Sequence, residues 1–213
     1  MPQYETDEFA GFPRAALDQP APLFEARSTQ GHIRLADYQG QWVMLFAHPA
    51  DFTPVCTTEF VAFARAAEDF AALDCALLGL SVDSVYAHLA WLQQIEDDFG
   101  VKIPFPLIED PSLSVSRAYG MVHPGASSTA TVRSVFVIDP EGILRALVHY
   151  PMAVGRSVAE CLRLVAALRE TAGAGGVSPE GWRPGDPLVM PAPVTQEEAR
   201  ARGGARWYAG GEG

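Results

Sequence analysis

The feature that most constrains the fold of this chain is an apolar run that is followed, after a short loop, by the start of a helix. Residues 42–47 (WVMLFA) are apolar throughout and lie between Gly40 and Pro49. A short uninterrupted apolar run between turn residues is typical of a strand buried on both faces of a parallel or mixed sheet. The loop that follows ends in Thr53 and Pro54, which are favoured at the N-cap and at the first position of a helix. This strand–loop–helix unit predicts an α/β domain.

The same kinds of pattern continue along the chain. Two short strands, at 23–26 and 32–35, are predicted on either side of a turn at Gly31. The helix that begins at Pro54 is predicted to run to about Phe70, and Gly100 is placed to end a helix that begins near Val85. Further strands are predicted at 76–82, 132–138 and 143–150, a short helix at 111–120 and a last helix at 157–168. This order indicates an α/β sandwich with a central mixed sheet flanked by helices.

The two ends of the chain differ in composition from its central part. Residues 1–19 lack a sustained periodicity and are predicted to form an N-terminal arm, followed by the main domain at residues 20–170. The stretch 171–176 (TAGAGG) is predicted to be a flexible hinge. Residues 177–213 are predicted to be a C-terminal extension, Pro-rich and weakly structured to about residue 200 and Gly-rich from residue 203.

Charge and composition exclude several classes of function. Lys and Arg total 15 against 26 Asp and Glu, and the net charge of −11 disfavours nucleic acid and acidic membranes as partners. No apolar run approaches the roughly 20 residues that span a bilayer, and the N-terminus does not resemble a secretory signal. Three cysteines are a small, odd number for a secreted disulfide framework. We therefore expect a cytoplasmic protein in which a single thiol is available for chemistry.

Cys56 is the strongest candidate for that chemistry. With Thr53 at the N-cap and Pro54 at the first helical position, Cys56 falls in the first turn of the helix. Unpaired backbone N–H groups and the positive end of the helix dipole favour the thiolate there, and the thiolate is the reactive form of cysteine. The Thr53 hydroxyl can hydrogen-bond the sulfur or an approaching oxygen. The alternative, from the residues alone, is a small buried hydrophobic side chain.

The segment HPADFTPVCTTE at residues 48–59 resembles the active-site loop of the peroxiredoxins, whose core pattern is Pro-x-x-x-Thr-x-x-Cys. With a histidine before the proline and TTE after the cysteine, it is most similar to the one-cysteine (1-Cys) subgroup. The similarity extends in order from about residue 18 to about residue 200, and includes residues 19–26, 81–84, 88–91, 119–121, 133–140, 150–151, 155–156 and 182–186. The resemblance implies a thioredoxin-like fold at 20–170, a dimerisation extension at 177–213 and thiol peroxidase activity.

The resemblance also implies roles for the residues around the thiol. Cys56 would attack a peroxide oxygen and become a sulfenic acid. Thr53 would hydrogen-bond the peroxide, Pro49 would shield the pocket from water, and Arg133 would stabilise the thiolate and the leaving oxygen. The remaining matched residues are Glu59, which would orient two arginines, Arg156, the second of these, and His48, which matches a histidine near the sulfur. Taken singly, these residues have ordinary structural interpretations, so their joint occurrence with Cys56 is what indicates a site.

The other two cysteines leave alternatives for the resolving step. Cys75 and Cys161 lie in apolar stretches where packing is the usual role of a cysteine, and no cysteine follows Cys161. We therefore predict a one-cysteine mechanism in which thioredoxin, glutaredoxin with glutathione, or a small thiol reduces the sulfenic acid. A two-cysteine peroxidase that uses Cys75 or Cys161 is an alternative, and so is a holdase or scaffold on the same fold.

Spacing disfavours other kinds of site. His48, Cys56 and His88 lack the ligand spacing of a metal site, and Cys56 is not part of a Cys-x-x-Cys redox motif. The stretch 39–43 (QGQWV) lacks the serine found in relatives that are credited with phospholipase activity. We therefore expect neither a metal nor a cofactor. The resemblance further implies antioxidant defence by a homodimer, with a ring of dimers as a larger alternative.

Overall fold

The computed structural model of the protein describes residues 15–122 and 130–202. Most of the predicted N-terminal arm and the Gly-rich tail from residue 203 lie outside the described residues. The strands are β1 (Glu25–Ser28), β2 (Gly31–Arg34), β3 (Trp42–Ala47), β4 (Cys75–Ser81), β5 (Leu107–Glu109), β6 (Arg133–Ile138) and β7 (Leu144–Tyr150). The helices are α1 (Pro54–Arg65), α2 (Ala67–Ala72), α3 (Val85–Phe99), α4 (Ser114–Ala118), α5 (Val158–Ala174) and α6 (Gln196–Ala201), with a 3-10 turn at Leu35–Tyr38.

The strands form one mixed sheet in the order β2-β1-β5-β4-β3-β6-β7. The central strands β3, β4 and β5 are parallel, whereas β6 runs antiparallel to β3 and pairs with β7. In this register Ala47 at the end of β3 lies opposite Leu80 on one side and Ser134 on the other. The loop after β3 and the start of β6 therefore lie at the same end of the sheet. The predicted α/β fold with a central mixed sheet is confirmed.

Both faces of β3 are buried, as its uninterrupted apolar sequence predicts. On one face the Phe46 ring packs on Phe60 and Phe63 of α1, with ring centroids 5.5 and 4.4 Å apart. On the opposite face Leu45 belongs to an apolar cluster that also contains Val115 of α4. Helix α1 is thus fixed against the strand that ends beside the site.

Capping residues fix the ends of α3. The Ser84 hydroxyl accepts the backbone N–H of Ala87 at the N-terminus, and Gly100 adopts a left-handed conformation at φ 63° at the C-terminus. The predicted bounds of this helix are confirmed. Its buried residues Trp91 and Ile95 lie one turn apart on one face.

Several predicted elements have different bounds in the structure, and the described residues also contain a strand that was not predicted. The first strand begins and ends two residues later than predicted, because the Ser28 hydroxyl donates to the Gly31 carbonyl and accepts the Gln30 N–H, which closes the turn. The helix predicted from Pro54 to about Phe70 is interrupted at Ala66, which separates α1 from α2. Strand β5 was not predicted, since its three residues are too few to show a periodicity.

The prediction of a hinge at residues 171–176 is wrong over most of its length. Helix α5 continues to Ala174, and only then does Gly175 adopt a left-handed conformation at φ 63°. The alanines of this stretch favour a helix, and the Thr171 hydroxyl donates back to the Ala167 carbonyl at 2.8 Å. The Pro-rich segment beyond it also contains a helix that was not predicted, α6, where Thr195 caps the N–H of Glu198.

The chain divides into two compact units, residues 1–158 and residues 159–213. The first contains the sheet and helices α1 to α4. In the second, Trp182 is buried and its indole N–H donates to the Asp186 carbonyl at 3.0 Å, while Val177 and Val189 form a β-bridge. Among the described residues, no helix has both the length and the apolar character that crossing a bilayer requires.

Candidate active site

Cys56 lies in the first turn of α1, as predicted, and its side chain is fully buried. Pro54 is the first helical residue, and the first helical hydrogen bond of this turn runs from the Thr57 N–H to the Thr53 carbonyl. The Cys56 N–H therefore belongs to the part of the helix that has no acceptor within the helix. This position and the helix dipole favour negative charge at the sulfur.

Arg133, the first residue of β6, lies against this thiol. Its Nη1 donates to the Cys56 sulfur at 3.3 Å and to Glu59 Oε2 at 3.0 Å, and its Nε donates to the Met152 carbonyl at 3.0 Å. The residue is 4% exposed, so it is not the solvated charge that a lone arginine at a strand start would suggest. A buried guanidinium with its donors fixed in this way favours a thiolate and any oxyanion formed beside it.

Glu59 joins two arginines one turn further along α1. Arg156 donates to Glu59 Oε1 from Nε at 3.0 Å and to Oε2 from Nη2 at 2.6 Å, and its backbone N–H also donates to Oε1 at 2.7 Å. Burial alone would raise the pKa of Glu59, but its hydrogen bonds and charge interactions with Arg156, together with Arg133, outweigh burial and hold that pKa below its usual value. Glu59 is therefore ionised and orients Arg133 toward the sulfur.

The side chain of Arg156 is fully buried. Its Nη1 donates to the carbonyls of Ala47 and Ser134, at 2.8 and 2.9 Å, and thereby links the adjacent strands β3 and β6. The guanidinium also lies over the rings of Phe46 and Phe63, 5.3 and 5.8 Å from their centroids. Arg156 has no described contact with the thiol, so its effect on the sulfur passes through Glu59.

Thr53 occupies the N-cap position of α1, but its side chain does not cap the helix. The Thr53 hydroxyl instead donates to the Ala50 carbonyl at 2.9 Å. Because its hydrogen is committed there, the oxygen presents lone pairs, which suits it to accept a hydrogen bond from a bound O–H group. Pro49, in the same loop, is buried.

A cleft of about 430 Å³ opens beside this loop. Thr53, Pro54 and Thr57 line it from the start of α1, and Trp91, Ile95 and Phe99 line it from α3. Phe52 at its rim is 58% exposed and adopts a left-handed backbone conformation at φ 57°, which is unusual for an aromatic residue. Thr53 is thus the predicted site residue that borders this cleft.

His48 is fully buried beneath the same loop, and its Nε2 lies 2.8 Å from Asp51 Oδ1. Asp51 Oδ2 in turn lies 2.7 Å from Nδ1 of His88, a residue of α3. Sequence reasoning missed Asp51 as a site residue and considered His88 only as a metal ligand. The 37-residue separation between Asp51 and His88 gave no signal of their contact, which depends on α3 packing beside the loop.

Atoms of His48, Asp51 and Asp83 that could bind a metal lie within 4.8 Å of one another. Each of these side chains already has a hydrogen-bond partner: Nε2 of His48 pairs with Asp51, and Asp83 Oδ2 accepts from the Ser81 hydroxyl and the Asp51 N–H. Hydrogen bonding therefore accounts for the grouping without a metal ion.

Cys75 and Cys161 are both buried, and neither forms a disulfide among the described residues. Cys75 begins β4 and is paired with Trp42 at the start of β3, whereas the site lies beyond Ala47 at the other end of that strand. Burial raises the pKa of the Cys75 thiol to about 12. Cys161 lies in α5, in the second unit of the chain.

Comparison with known proteins agrees with this geometry. Residues 17–147 match the AhpC/TSA family, and residues 167–203 match the C-terminal domain of 1-Cys peroxiredoxin. A peroxiredoxin of Aquifex aeolicus (strain VF5) is 47% identical over 206 residues, which covers 92% of this chain and 92% of the relative. The chain belongs to the peroxiredoxin family.

Solved structures of peroxiredoxins have the same fold. A yeast mitochondrial 1-Cys peroxiredoxin, described with its thiol-resolving mechanism via glutathione/thioredoxin systems, has a TM-score of 0.79 and 42% identity, covering 87% of this chain and 91% of its own. A mutant of peroxiredoxin 6 of Arenicola marina also has a TM-score of 0.79, with 36% identity, and the match covers 87% of this chain and 88% of its own. This peroxiredoxin therefore has the predicted thioredoxin-like fold and is a thiol-dependent peroxidase.

Proposed function

We propose that this peroxiredoxin reduces hydrogen peroxide and organic hydroperoxides through Cys56, by a one-cysteine mechanism. The observation that carries the proposal is the hydrogen bond from Arg133 Nη1 to the Cys56 sulfur at 3.3 Å, within a buried network that Glu59 holds in place. A guanidinium directed at a helix N-terminal thiol favours both the attacking thiolate and the oxyanion that leaves.

In the first step the Cys56 thiolate attacks one oxygen of the peroxide. An S–O bond forms as the O–O bond breaks, so the sulfur is oxidised to a sulfenic acid and the peroxide is reduced. The departing hydroxide or alkoxide takes a proton from solvent and leaves as water or alcohol. In this step Arg133 stabilises the departing oxyanion, Thr53 accepts a hydrogen bond from the peroxide O–H, and Pro49 excludes water.

In the second step an external thiol reduces the sulfenic acid. Its thiolate attacks the Cys56 sulfur, an S–S bond forms, and the S–O bond breaks to release water after protonation. A second reductant thiolate then attacks the outer sulfur of this mixed disulfide, which releases the Cys56 thiolate and a disulfide of the two reductant thiols. The proposal is supported by the position of Cys75 in β4, opposite the end of β3 that is far from the site, and by the yeast 1-Cys relative, whose thiol is resolved via glutathione/thioredoxin systems. Thioredoxin, glutaredoxin with glutathione, or a small thiol would serve as the reductant.

The test is to add one equivalent of hydrogen peroxide to the reduced protein, trap with a sulfenate-specific reagent and map the adduct by mass spectrometry. We expect the adduct on Cys56, no internal disulfide, and loss of peroxide consumption in Cys56→Ser. A disulfide between Cys56 and Cys75 or Cys161 would retain the peroxidase but contradict the one-cysteine mechanism. An unmodified Cys56 thiol would contradict the catalytic assignment itself.

The proposal extends to assembly and location. We infer a cytoplasmic antioxidant enzyme that acts in redox homeostasis as a homodimer, with residues 177–213 as the dimerisation extension that follows the peroxidase domain at 20–170 in the sequence. The match of residues 167–203 to the C-terminal domain of 1-Cys peroxiredoxin supports this role. Sedimentation of the full chain and of a chain that ends at residue 176 tests it, and a dimer of equal stability in both would contradict it.

A further inference from the structure

The peptide unit between Ala50 and Asp51, in the loop before α1, is held by a hydrogen bond on each side. Its carbonyl, from Ala50, accepts the Thr53 hydroxyl at 2.9 Å, and its N–H, from Asp51, donates to Asp83 Oδ2 at 3.0 Å. A trans peptide unit is planar, so its C=O and its N–H point in opposite directions. The contact that fixes the direction of the N–H therefore also fixes the carbonyl that faces Thr53.

Asp83 is itself anchored at the end of the central sheet. It follows β4 by two residues, and its Oδ2 accepts the Ser81 hydroxyl at 2.8 Å while its own N–H donates to Ser81 Oγ at 3.1 Å. Ser81 is fully buried at the last position of β4, and its carbonyl accepts the Asp110 N–H at 2.9 Å. Since β4 is paired with β3, this anchor lies beside the loop that leads to Cys56.

Helix α3 begins two residues after Asp83, but the described contacts of the Asp83 carboxylate do not cap that helix. The Ser84 hydroxyl caps it, and Glu109 Oε2 accepts the Val85 N–H at 2.8 Å. The described hydrogen bonds of the Asp83 carboxylate go instead to the end of β4 and to the loop before α1. A role in starting α3 therefore does not account for this carboxylate.

The side-chain contacts of Asp51 hold the loop in place but do not fix the direction of the peptide unit. The Asp51 carboxylate is bonded to His48 and His88, which fixes the position of the residue. A peptide plane can still turn over between its two Cα atoms, through changes in the ψ before it and the φ after it, while both side chains stay where they are. The hydrogen bond to Asp83 is the described contact that opposes this rotation on the N–H side.

The direction of this peptide unit decides how the Thr53 hydroxyl can meet a substrate. With the Ala50 carbonyl facing it, the single hydroxyl hydrogen is used, and the Thr53 oxygen can only accept from a peroxide O–H. If the peptide unit turned over, the Asp51 N–H would face Thr53 and donate to its oxygen, and the hydroxyl hydrogen would be free. The Thr53 hydroxyl would then donate to the peroxide rather than accept from it.

We propose that Asp83 is a positioning residue for peroxide reduction: by holding the Asp51 N–H, it keeps the Ala50 carbonyl on Thr53 and so keeps Thr53 an acceptor for the peroxide O–H. The inference rests on the proposed function, in which the Cys56 thiolate attacks the peroxide. An accepted O–H fixes one end of the peroxide and therefore the direction of the O–O bond relative to the sulfur, and such orientation lowers the barrier to attack.

The first test uses the wild-type chain and needs no turnover. Because Asp83 accepts the Asp51 amide hydrogen, ¹H–¹⁵N spectra should show that hydrogen protected from solvent exchange, and protection should fall about tenfold in Asp83→Ala. Asp83→Asn, whose amide oxygen can accept in place of Oδ2, should keep most of the protection. Unprotected exchange of this amide in the wild type overturns the inference, and that result does not depend on the folding of any variant.

The second test measures kcat/KM for hydrogen peroxide in a double-mutant cycle with Thr53→Val. Asp83→Ala should lower kcat/KM about tenfold in the wild-type background but less than about twofold in Thr53→Val, because the acceptor that Asp83 positions is then absent. Asp83→Asn should recover most of the rate. The matched control is Glu109→Ala, which also removes a carboxylate that accepts a backbone N–H near the start of α3, and it should react at the wild-type rate.

The outcomes separate this inference from the proposed function. A wild-type rate in Asp83→Ala, or an equal loss with and without the Thr53 hydroxyl, would contradict the positioning role. A loss of the same size in Glu109→Ala would also overturn it, because the effect would then come from loosening the start of α3. A wild-type protein that consumes no peroxide through Cys56 would overturn the proposed function together with the inference, whereas normal consumption with additive losses would overturn the inference alone.

Discussion

Nη1 of Arg133 lies 3.3 Å from the sulfur of Cys56 and also donates to Glu59 at 3.0 Å. One planar guanidinium thus connects the proposed nucleophile to the carboxylate that orients the guanidinium, while Nε of the same side chain donates to the Met152 carbonyl. A lysine carries a single ammonium group and cannot make these contacts in the same geometry.

We therefore expect Arg133→Lys to lower kcat/KM for hydrogen peroxide by roughly 10²-fold, the usual cost of removing one oxyanion-stabilising donor. Stopped-flow measurement of peroxide consumption checks this value. Arg145→Lys is the control, because Arg145 bonds to Asp18 and Asp139, away from the thiol, and should react at the wild-type rate. Wild-type kcat/KM in Arg133→Lys would contradict the role of the guanidinium.

Thr53 provides a test that separates helix capping from catalysis. Because its hydroxyl donates to the Ala50 carbonyl rather than capping α1, Thr53→Val should cost only about 1 kcal/mol of stability. The loss of an acceptor for the peroxide O–H should lower kcat/KM by about one to two orders of magnitude. Thr53→Ser, which keeps the hydroxyl, should recover most of the rate. A slow Thr53→Ser enzyme would instead indicate that the methyl group matters most.

Glu59 makes the stability of the first unit depend on pH. Its folded-state pKa lies below the unfolded value, near 4.5, so its contribution is complete above that value and is lost as the pH falls through the lower folded-state value. Glu59→Gln leaves two buried guanidinium groups without their carboxylate, and we expect a loss of about 3–5 kcal/mol at neutral pH. Urea unfolding at several pH values should show this difference shrinking as the pH falls.

Glu160→Gln is the control for that experiment. Glu160 pairs with Arg163 at 2.7 Å, but its side chain is 49% exposed, so its removal should cost about 0–1 kcal/mol. A difference between wild type and Glu59→Gln that stays constant from neutral to acidic pH would show that the stabilisation does not come from the ionised carboxylate.

Most of the fold could be predicted from the sequence because the strongest patterns lie within single elements or at their ends. The apolar run of β3, the Thr53-Pro54 helix start and Gly100 each predicted an element that the structure contains. The capping pair Thr195 and Glu198 is a local signal for the short helix α6, which the Pro-rich composition around it masks. The hinge prediction is wrong because the alanines at residues 171–174 keep this stretch helical despite its glycine.

Some site residues are brought together by local structure, and others only by long-range packing. The spacing of Thr53, Cys56 and Glu59 is set within one helix start, so their proximity could be predicted from the sequence. Arg133 and Arg156 come together at Glu59 only because β6 pairs with β3, and the motif resemblance, rather than any local pattern, indicated them. The contact between Asp51 and His88 had neither kind of signal.

Cys75 gives the sharpest test of the one-cysteine mechanism. It pairs with Trp42 at the first position of β3, and the site begins after Ala47, five residues along a strand that rises about 3.3 Å per residue, or about 16 Å away. A disulfide needs Cα atoms within about 7 Å, so Cys75 cannot reach Cys56 without unpairing the centre of the sheet. The high pKa of its buried thiol, about 12, also disfavours the thiolate that resolution would need.

We therefore expect Cys75→Ala to keep the wild-type rate of peroxide consumption with an external thiol, at a stability cost of about 1 kcal/mol for the small cavity. Non-reducing peptide mapping after one equivalent of peroxide should show no linkage between the peptides of Cys56 and Cys75. Cys161→Ala is measured in parallel, since that cysteine is the other candidate for a resolving partner. A Cys56–Cys75 disulfide that forms as fast as the peroxide is consumed would require β4 to separate from β3 during turnover, and would contradict a mechanism built on this rigid sheet.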